Sequence, residues 1–177
     1  MPARDLDLLT EAAREAGRIA LGYWKKRPEV WDRVGRGGPV TEAALVGNAR
    51  LEGRLRSARP DYGWLSEESP DDPARMDAAH CFIIDPIDGT RAFIDGQEGF
   101  SLSLAVAHHD RIVAAVVHLP VMGLTYAATE TGPATLNGAP IHVSDATLAD
   151  ADVLMTKAAM DPSFWKNGQP PEVKRSF

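Results

Sequence analysis

Cysteine and long apolar runs are both scarce in this sequence. Cys81 is the single cysteine in 177 residues, which excludes an intrachain disulfide and suits a reducing compartment. Ile112–Val117 is the longest apolar run and is far too short to span a bilayer. The charged start of the chain, with Arg4, Asp5 and Asp7, is not followed by an uninterrupted apolar segment, so no signal peptide is expected. These absences favour a cytoplasmic protein without a membrane partner.

Basic charge is also in short supply. The chain has 19 Lys and Arg against 25 Asp and Glu, a net charge of -6. An acidic protein attracts neither nucleic acid polymers nor anionic membrane surfaces. A small phosphorylated ligand still fits, provided that metal ions supply local positive charge.

The order of the sequence patterns predicts an α+β fold. Asp5–Lys26 has apolar residues at helical spacing, and Thr41 is a suitable N-cap for a second helix that runs to about Ser57 with Val46, Leu51 and Leu55 near its inner face. Strand patterns follow, so the sheet is expected to be mainly antiparallel. The predicted strands are Trp64-Leu65, His80–Ile84, Ser101–His108, Arg111–His118, Leu124–Ala128, two short strands around the Asn137-Gly138 turn, and Val153–Thr156.

The segment with the most chemical content is Asp85-Pro86-Ile87-Asp88-Gly89-Thr90, which follows an apolar strand. Pro86 lacks an N–H and favours a sharp turn that can point Asp85 and Asp88 into one small volume. Two such carboxylates repel each other unless a proton or a cation lies between them. Magnesium is the natural cation, because it prefers hard oxygen ligands and keeps positions open for water and phosphate.

Two neighbouring features extend this hypothesis. Gly89 allows close backbone approach to a ligand, and a helix over Arg91–Ile94 would direct the amides of Gly89 and Thr90 at an anion. Glu67 lies eighteen residues before Asp85 and could supply a third carboxylate. A site for more than one metal can activate water and stabilise the leaving oxygen in phosphoester hydrolysis.

Other features have simpler interpretations. Cys81 is expected to be a buried strand residue rather than a nucleophile. His108-His109 are expected to be solvated, since neighbours on a strand point to opposite faces and cannot readily share an ion. Trp24 and Trp31 are expected to pack rather than to bind a base. A calcium-binding loop would need spaced Asp or Asn ligands and a closing Glu, which are absent here.

Three segments resemble the inositol monophosphatase family. Asp85–Thr90 matches its signature, Trp64–Ser69 resembles its upstream acidic motif, and Leu136–Ile141 resembles a later hairpin of the same domain. The resemblance implies the first domain of a layered sugar phosphatase fold, here residues 1–160, followed by residues 161–177 as a linker or the start of a second domain.

By the same resemblance, metal ions are bound by Glu67, Asp85, the Ile87 carbonyl and Asp88. The phosphate is bound by Asp88, Gly89 and Thr90, while Glu67 and Thr90 act in catalysis. The cofactor implied is Mg2+, as two or three ions, with Mn2+ as a substitute. The implied reaction is hydrolysis of a small phosphate monoester. Inositol monophosphate is one candidate, and a 3'(2'),5'-bisphosphate nucleotide, which Ser66-Glu67-Glu68 favours, is the other.

Two departures from the family pattern support an alternative. Ala44 stands where the family usually has an aspartate that partners the signature threonine, and Glu42 is turned about 200° away along the helix. The Trp-Asp motif of the family's C-terminal domain does not follow the signature. The alternative is a truncated form or pseudophosphatase that binds metal and phosphate but turns over slowly. The oligomeric state is left open between a monomer and a homodimer.

Overall fold

The structure is a computed structural model. It describes residues 2–32, 38–147, 150, 152–153, 159, 161–166 and 174–175. The chain divides into two compact units, residues 1–141 and 142–177. The domain boundary at residue 160 that the sequence suggested stays a prediction.

The α-helices of the described residues lie in the first unit. They are α1 (Pro2–Tyr23), α2 (Glu42–Ala58) and α3 (Thr90–Ile94). Thr41 caps α2 as predicted, because its hydroxyl accepts a hydrogen bond from the Ala44 N–H at 3.2 Å. Across the described residues, no helix is both long enough and apolar enough to cross a bilayer.

The strands form a mixed sheet, which confirms the α+β class. Within the described residues, the seven-stranded sheet has the order β3-β4-β5-β6-β7-β8-β9. Its strands are β3 (Gly63–Ser66), β4 (His80–Asp88), β5 (Ser101–His108), β6 (Arg111–Leu119), β7 (Leu124–Thr129), β8 (Thr135–Leu136) and β9 (Ala139–Pro140). β3 and β4 run parallel, and the remaining neighbours are antiparallel. A five-residue 3-10 helix, Pro73–Asp77, lies in the crossover between β3 and β4.

Two small strand pairs lie outside this sheet. β1 (Val30–Asp32) pairs with β2 (Pro39–Thr41) in antiparallel fashion, a hairpin that the sequence patterns did not predict. In the second unit, β10 (Asp152–Val153) pairs with β11 (Lys174–Arg175) in parallel. The rest of the predicted last strand, residues 154–156, lies outside the described residues.

Helices α1 and α2 cover one face of the large sheet, and the main core lies between them. Its members are Leu9, Ala12, Ala13, Ala16, Leu51, Leu55, Trp64, Phe82, Ile84, Leu102, Leu104, Val106, Val113, Ala114 and Val116. The prediction that Val46 lies on the inner face of α2 is wrong, since its side chain is 39% exposed. Gly47 and Asn48 take the buried positions of that turn instead.

A second buried cluster joins the helices to the end of β4. It consists of Ala20, Ala43, Ala44, Ile87, Phe93 and Phe100. The rings of Phe93 and Phe100 meet edge to face with centroids 4.8 Å apart, a favoured aromatic geometry. The cluster therefore fixes Ile87 of the signature segment against the helical layer. It fixes α3, which begins at the last residue of that segment, in the same way.

The opposite face of the sheet is apolar and half exposed. Ile83, Val117 and Tyr126 are each 37% exposed, and Val117 pairs with Tyr126 across two adjacent strands. Val116 is buried on the helix side, because adjacent residues of a strand point to opposite faces.

This alternation gives a matched test on neighbouring residues. Exposed apolar patches promote association, so Val117→Lys is expected to reduce self-association of the chain and to change its stability by less than about 1 kcal/mol. Val116→Lys buries a charge and is expected to destabilise by more than about 3 kcal/mol. Light scattering and thermal melts measure the two effects. If Val117→Lys leaves association unchanged, the exposed face is not the cause.

Candidate active site

The parallel pair of strands brings the first two acidic residues together. Ser66 pairs with Ile84, and the Glu67 N–H donates to the Ile84 carbonyl at 3.2 Å. Glu67, which directly follows β3, therefore lies beside Asp85 of β4. Since neighbouring strands lie about 4.8 Å apart, the backbones at these two residues are close.

A β-bulge brings in the third acidic residue. Asp85 pairs with Ser103 and Asp88 pairs with Ser101, so three steps along β4 oppose two steps along β5. In a regular strand, residues three apart point to opposite faces, whereas the extra residue of a bulge restores the same face. Asp85 and Asp88 consequently project from one side of the sheet.

Local hydrogen bonds organise the signature segment, in which β4 continues through Asp88 instead of making the sharp turn predicted at Pro86. The Ile87 N–H donates to Asp85 Oδ1 at 3.1 Å, and the Thr90 hydroxyl donates to the Ile87 carbonyl at the same distance. The Ser101 hydroxyl donates to Asp88 Oδ2 at 3.5 Å, at the long limit for such a bond. The side chain of Ile87 is buried in the second cluster, so its carbonyl is anchored from the apolar side.

The charges of Glu67 and Asp88 both act on the Asp85 carboxyl. The pKa of the Asp85 carboxyl is raised to about 7, first by burial and then by the negative charges of Glu67 and Asp88. A hydrogen bond with the Glu67 side chain adds to the rise, while the Ile87 N–H opposes it. The arrangement thus favours either a proton or a cation between the acidic groups.

The donors present fit a hard divalent cation. They are carboxylate oxygens and the Ile87 carbonyl, which keeps a second lone pair beside the one that accepts from Thr90. Among the described residues, however, no group of three or more His, Cys, Asp or Glu side chains is arranged so that it could hold a metal ion. The ligand set of Glu67, Asp85, Ile87 and Asp88 therefore stays a prediction.

Gly89 makes the turn into α3 possible. Its φ is +87°, a conformation that residues with a side chain rarely adopt. α3 begins at Thr90, close to the predicted start at Arg91. The role of Gly89 and Thr90 in phosphate binding stays a prediction.

Ala44 lies in the buried second cluster, together with Ile87. Its side chain is 1% exposed, and it offers a methyl group where the family resemblance implies a carboxylate. The hydroxyl of Thr90 is directed at the Ile87 carbonyl. Glu42 accepts a 3.4 Å hydrogen bond from the Tyr23 hydroxyl on α1.

The remaining candidate residues lie elsewhere. Cys81 is half-buried on the outer sheet face, less buried than predicted, because it alternates with Phe82. His109 has a φ of +54° at the hairpin tip, and its ring lies 4.4 Å from that of His108 rather than on the opposite face. Trp24 packs on Phe100, as expected, whereas Trp31 is 44% exposed.

Sequence reasoning missed one residue beside the acidic loop. Asn48 is buried in α2 and hydrogen bonds to Ser66 and Ser69, which flank Glu67 and Glu68. A signal was available: Asn48 is four residues after Ala44 and three before Leu51, on the apolar line of the helix. A polar side chain at such a position needs buried partners.

Comparisons with known proteins agree with the geometry. A sequence profile of the inositol monophosphatase family matches residues 3–163. The chain is 32% identical over 140 residues to a histidinol-phosphatase of Chlorobaculum parvum, covering 79% of this chain and 53% of that protein. It is 32% identical over 127 residues to the 3'(2'),5'-bisphosphate nucleotidase CysQ of Escherichia coli, covering 71% and 52%. The chain thus spans about half the length of these relatives.

Solved structures show the same fold. The Thermotoga maritima IMPase superposes with a TM-score of 0.76 at 29% identity, covering 82% of this chain and 56% of that one. The extragenic suppressor protein suhB of Bartonella henselae gives a TM-score of 0.78 at 28% identity, covering 84% and 58%.

The raised pKa of Asp85 predicts how the metal-free protein responds to pH. This carboxyl holds its proton more tightly when folded than when unfolded, so its favourable contribution is fully present below pH 3.8 and is lost as pH rises through about 7. At pH 8 in a chelating buffer, Asp85→Asn is expected to stabilise the fold by roughly 1–3 kcal/mol, since one pKa unit is about 1.4 kcal/mol and partial exposure reduces the effect.

The matched control is Asp110→Asn, which changes an exposed carboxylate at the tip of the β5–β6 hairpin. Thermal or denaturant unfolding at pH 5 and pH 8 measures both variants. If Asp85→Asn stabilises the fold at pH 8 by no more than Asp110→Asn does, the predicted repulsion is contradicted.

Proposed function

The chain belongs to the inositol monophosphatase family, and we propose that it forms the metal- and phosphate-binding part of a Mg2+-dependent phosphomonoesterase. The observation that carries the proposal is the convergence of Glu67, Asp85 and Asp88. Their proximity is reflected in the raised pKa of Asp85 and follows from strand register and one bulge. Three acidic groups in one place are unfavourable for a fold and useful to a metal site.

In this proposal Glu67, Asp88 and Thr90 each have two tasks, and the other residues have one. Glu67, Asp85, Asp88 and the Ile87 carbonyl hold the ions, two or three of Mg2+ or its substitute Mn2+. Bound Mg2+ lowers the pKa of a coordinated water and polarises the phosphate. Glu67 accepts proton density from the attacking water, while the Thr90 hydroxyl orients it.

Asp88, Gly89 and Thr90 bind the phosphate. The positive φ of Gly89 turns the backbone sharply between β4 and α3, and its lack of a side chain lets an anion approach the amides. Asp88 is exposed at the end of β4, where a ligand can reach it. Phosphate binding and metal binding would thus share Asp88.

The proposed substrate is a small phosphate monoester. Relatives at about 31–32% identity carry the names histidinol-phosphatase, inositol-1-monophosphatase and 3'(2'),5'-bisphosphate nucleotidase. Ser66-Glu67-Glu68 is the feature of this chain that favours a bisphosphate nucleotide over inositol monophosphate. A phosphate-release panel with both substrates and Mg2+ tests the assignment.

One observation supports the slower alternative. Ala44 is fully packed in an apolar cluster, so the chain has a methyl group where the resemblance implies a base for Thr90. In this alternative the acidic site binds metal and phosphate, and turnover is weak. Metal binding and turnover therefore need separate measurements.

The setting of the protein is also proposed. A single cysteine suits the reducing cytoplasm, and a net charge of -6 argues against nucleic acid polymers and anionic membranes as partners. A small phosphorylated substrate remains the expected partner. The assembly is either a monomer or a homodimer.

Metal binding should depend on Asp88. Asp88→Asn removes one negative charge from the site at nearly constant size, so Mg2+ or Mn2+ affinity is expected to fall by roughly tenfold or more. Asp95→Asn is the control, because it removes the same charge from an exposed position at the end of α3. Isothermal titration measures both. Equal affinity of Asp88→Asn and the parent would remove Asp88 from the ligand set.

Turnover should depend on Ala44. In a form of the protein as long as its relatives, Ala44→Asp is expected to raise kcat by roughly 100-fold or more, since positioned acid–base assistance is worth about that much. The assay uses saturating Mg2+ with inositol monophosphate and with a 3'-phosphoadenosine substrate. Ala43→Asp is the control for burying a carboxylate in the same cluster, because Ala43 is also 1% exposed. Unchanged kcat in a folded Ala44→Asp variant would show that Ala44 is not the handicap.

A further inference from the structure

We propose that Asn48 is a positioning residue that holds the Glu67-Glu68 loop in its metal-binding geometry. The inference rests on the proposed function, since it assigns a role toward the same acidic site. Asn48 does not belong to the signature segment, and it acts through two serines rather than on a ligand.

The side chain of Asn48 spans the acidic loop. It is 6% exposed, and both ends of its amide are used. The Ser66 hydroxyl donates to Asn48 Oδ1 at 2.6 Å, and Asn48 Nδ2 donates to the Ser69 hydroxyl at 2.9 Å. Ser66 and Ser69 are the residues directly before Glu67 and directly after Glu68, so one side chain from α2 clamps both ends of the loop.

The serines pass this restraint to the loop backbone. Because the Ser66 hydroxyl donates its one proton to Asn48, its lone pairs are left to accept, and they do so from the Glu68 N–H at 3.2 Å. The Ser69 hydroxyl also accepts from the Trp64 indole N–H at 3.2 Å. Each serine thus connects Asn48 to a second group of the β3 region.

The opposite side of the loop is held by β4. The Glu67 N–H donates to the Ile84 carbonyl at 3.2 Å, immediately before Asp85. The backbone of Glu67 is therefore fixed between a strand on one side and the Asn48 clamp on the other. A metal ligand needs such support, because residues that orient ligands typically change metal affinity by about 10- to 100-fold when they are lost.

A purely structural role would give a different result. A buried amide with both ends satisfied stabilises a fold wherever it lies, and its removal leaves partners unpaired. Asn137 offers a comparison in the same unit, because both ends of its amide are bonded although its side chain is exposed. Its Oδ1 accepts from the Thr125 N–H at 2.8 Å and its Nδ2 donates to the Gly123 carbonyl at 3.1 Å, so it ties down the β7–β8 hairpin with the same chemistry.

The experiment measures Mn2+ affinity and thermal stability for the full chain and its variants. Asn48→Ala and Asn137→Ala are both expected to lower Tm. Only Asn48→Ala is expected to weaken Mn2+ binding, by roughly 10- to 100-fold, with the parent and Asn137→Ala unchanged relative to each other. Electron paramagnetic resonance of free Mn2+ gives the affinity without any activity assay.

Milder variants at Ser69 cover the case in which Asn48→Ala fails to fold. Ser69→Ala removes one end of the clamp and is expected to weaken Mn2+ binding by a smaller factor. Ser69→Thr keeps the hydroxyl and is expected to retain the affinity of the parent. This rescue by a conservative change separates the hydrogen bond from the general packing of the loop.

The outcomes distinguish the two proposals. If the parent binds no Mn2+, the proposed function fails and this inference fails with it. If the parent binds Mn2+ and the folded Asn48→Ala variant, or Ser69→Ala in its place, binds equally well, the role of Asn48 is overturned while the proposed function stands. Equal weakening by Asn137→Ala would also overturn it, because the effect would then be one of general stability.

Discussion

Mutual repulsion among three carboxylates is the constraint around which this structure is arranged. Glu67, Asp85 and Asp88 carry like charges, and burial raises the cost for Asp85, whose pKa is about 7. The Asp85 and Glu67 side chains share one hydrogen bond, but their charges and that of Asp88 repel one another. The register of β3 with β4 holds Glu67 beside Asp85, and the bulge of β4 holds Asp88 on the same side as Asp85. The backbone hydrogen bonds of the sheet thus support an arrangement that the charges of the side chains oppose.

The apolar layers explain why the fold can tolerate this cost. Ile87 lies between Asp85 and Asp88 in the sequence. Its side chain nevertheless packs in the buried cluster with Phe93 and Phe100. Fully burying such a side chain contributes about 1.5–3 kcal/mol. The same residue thus anchors the turn through its side chain and accepts from Thr90 through its carbonyl.

Sequence patterns predicted the content of the site better than its geometry. The α+β class, the N-cap at Thr41 and the residues of the signature followed from local spacing and from resemblance, and the fold comparisons confirm the class. The bulge could not be predicted, because Asp85 and Asp88 at a spacing of three would lie on opposite faces of a regular strand. The parallel pairing of β3 with β4 is a long-range contact that no local pattern reveals.

The errors at Val46 and Asn48 have one physical origin. Hydrophobic periodicity ranks positions by apolar character, so it assigned Val46 to the inner face of α2 and passed over Asn48. Helix α2 instead buries the side-chain amide of Asn48, because Ser66 and Ser69 replace the hydrogen bonds that the amide would make to water. A polar residue is buried in preference to valine only where a second structural element supplies hydrogen-bond partners. The sequence of the helix alone does not show whether such partners are present.

The metal binding and the turnover proposed for this chain depend on different residues. Among the described residues, Asn48, Ile87 and strands β3 to β5, which hold the acidic groups together, all lie within the first unit. The alanine at position 44 lies in that unit too, but it is packed as part of the core and contributes to stability rather than to proton transfer. Strand register can therefore keep the acidic residues together while position 44 carries no group for proton transfer. Many contacts keep the acidic residues together, whereas proton transfer at position 44 would depend on a single side chain. A substitution can therefore change one of these properties without the other.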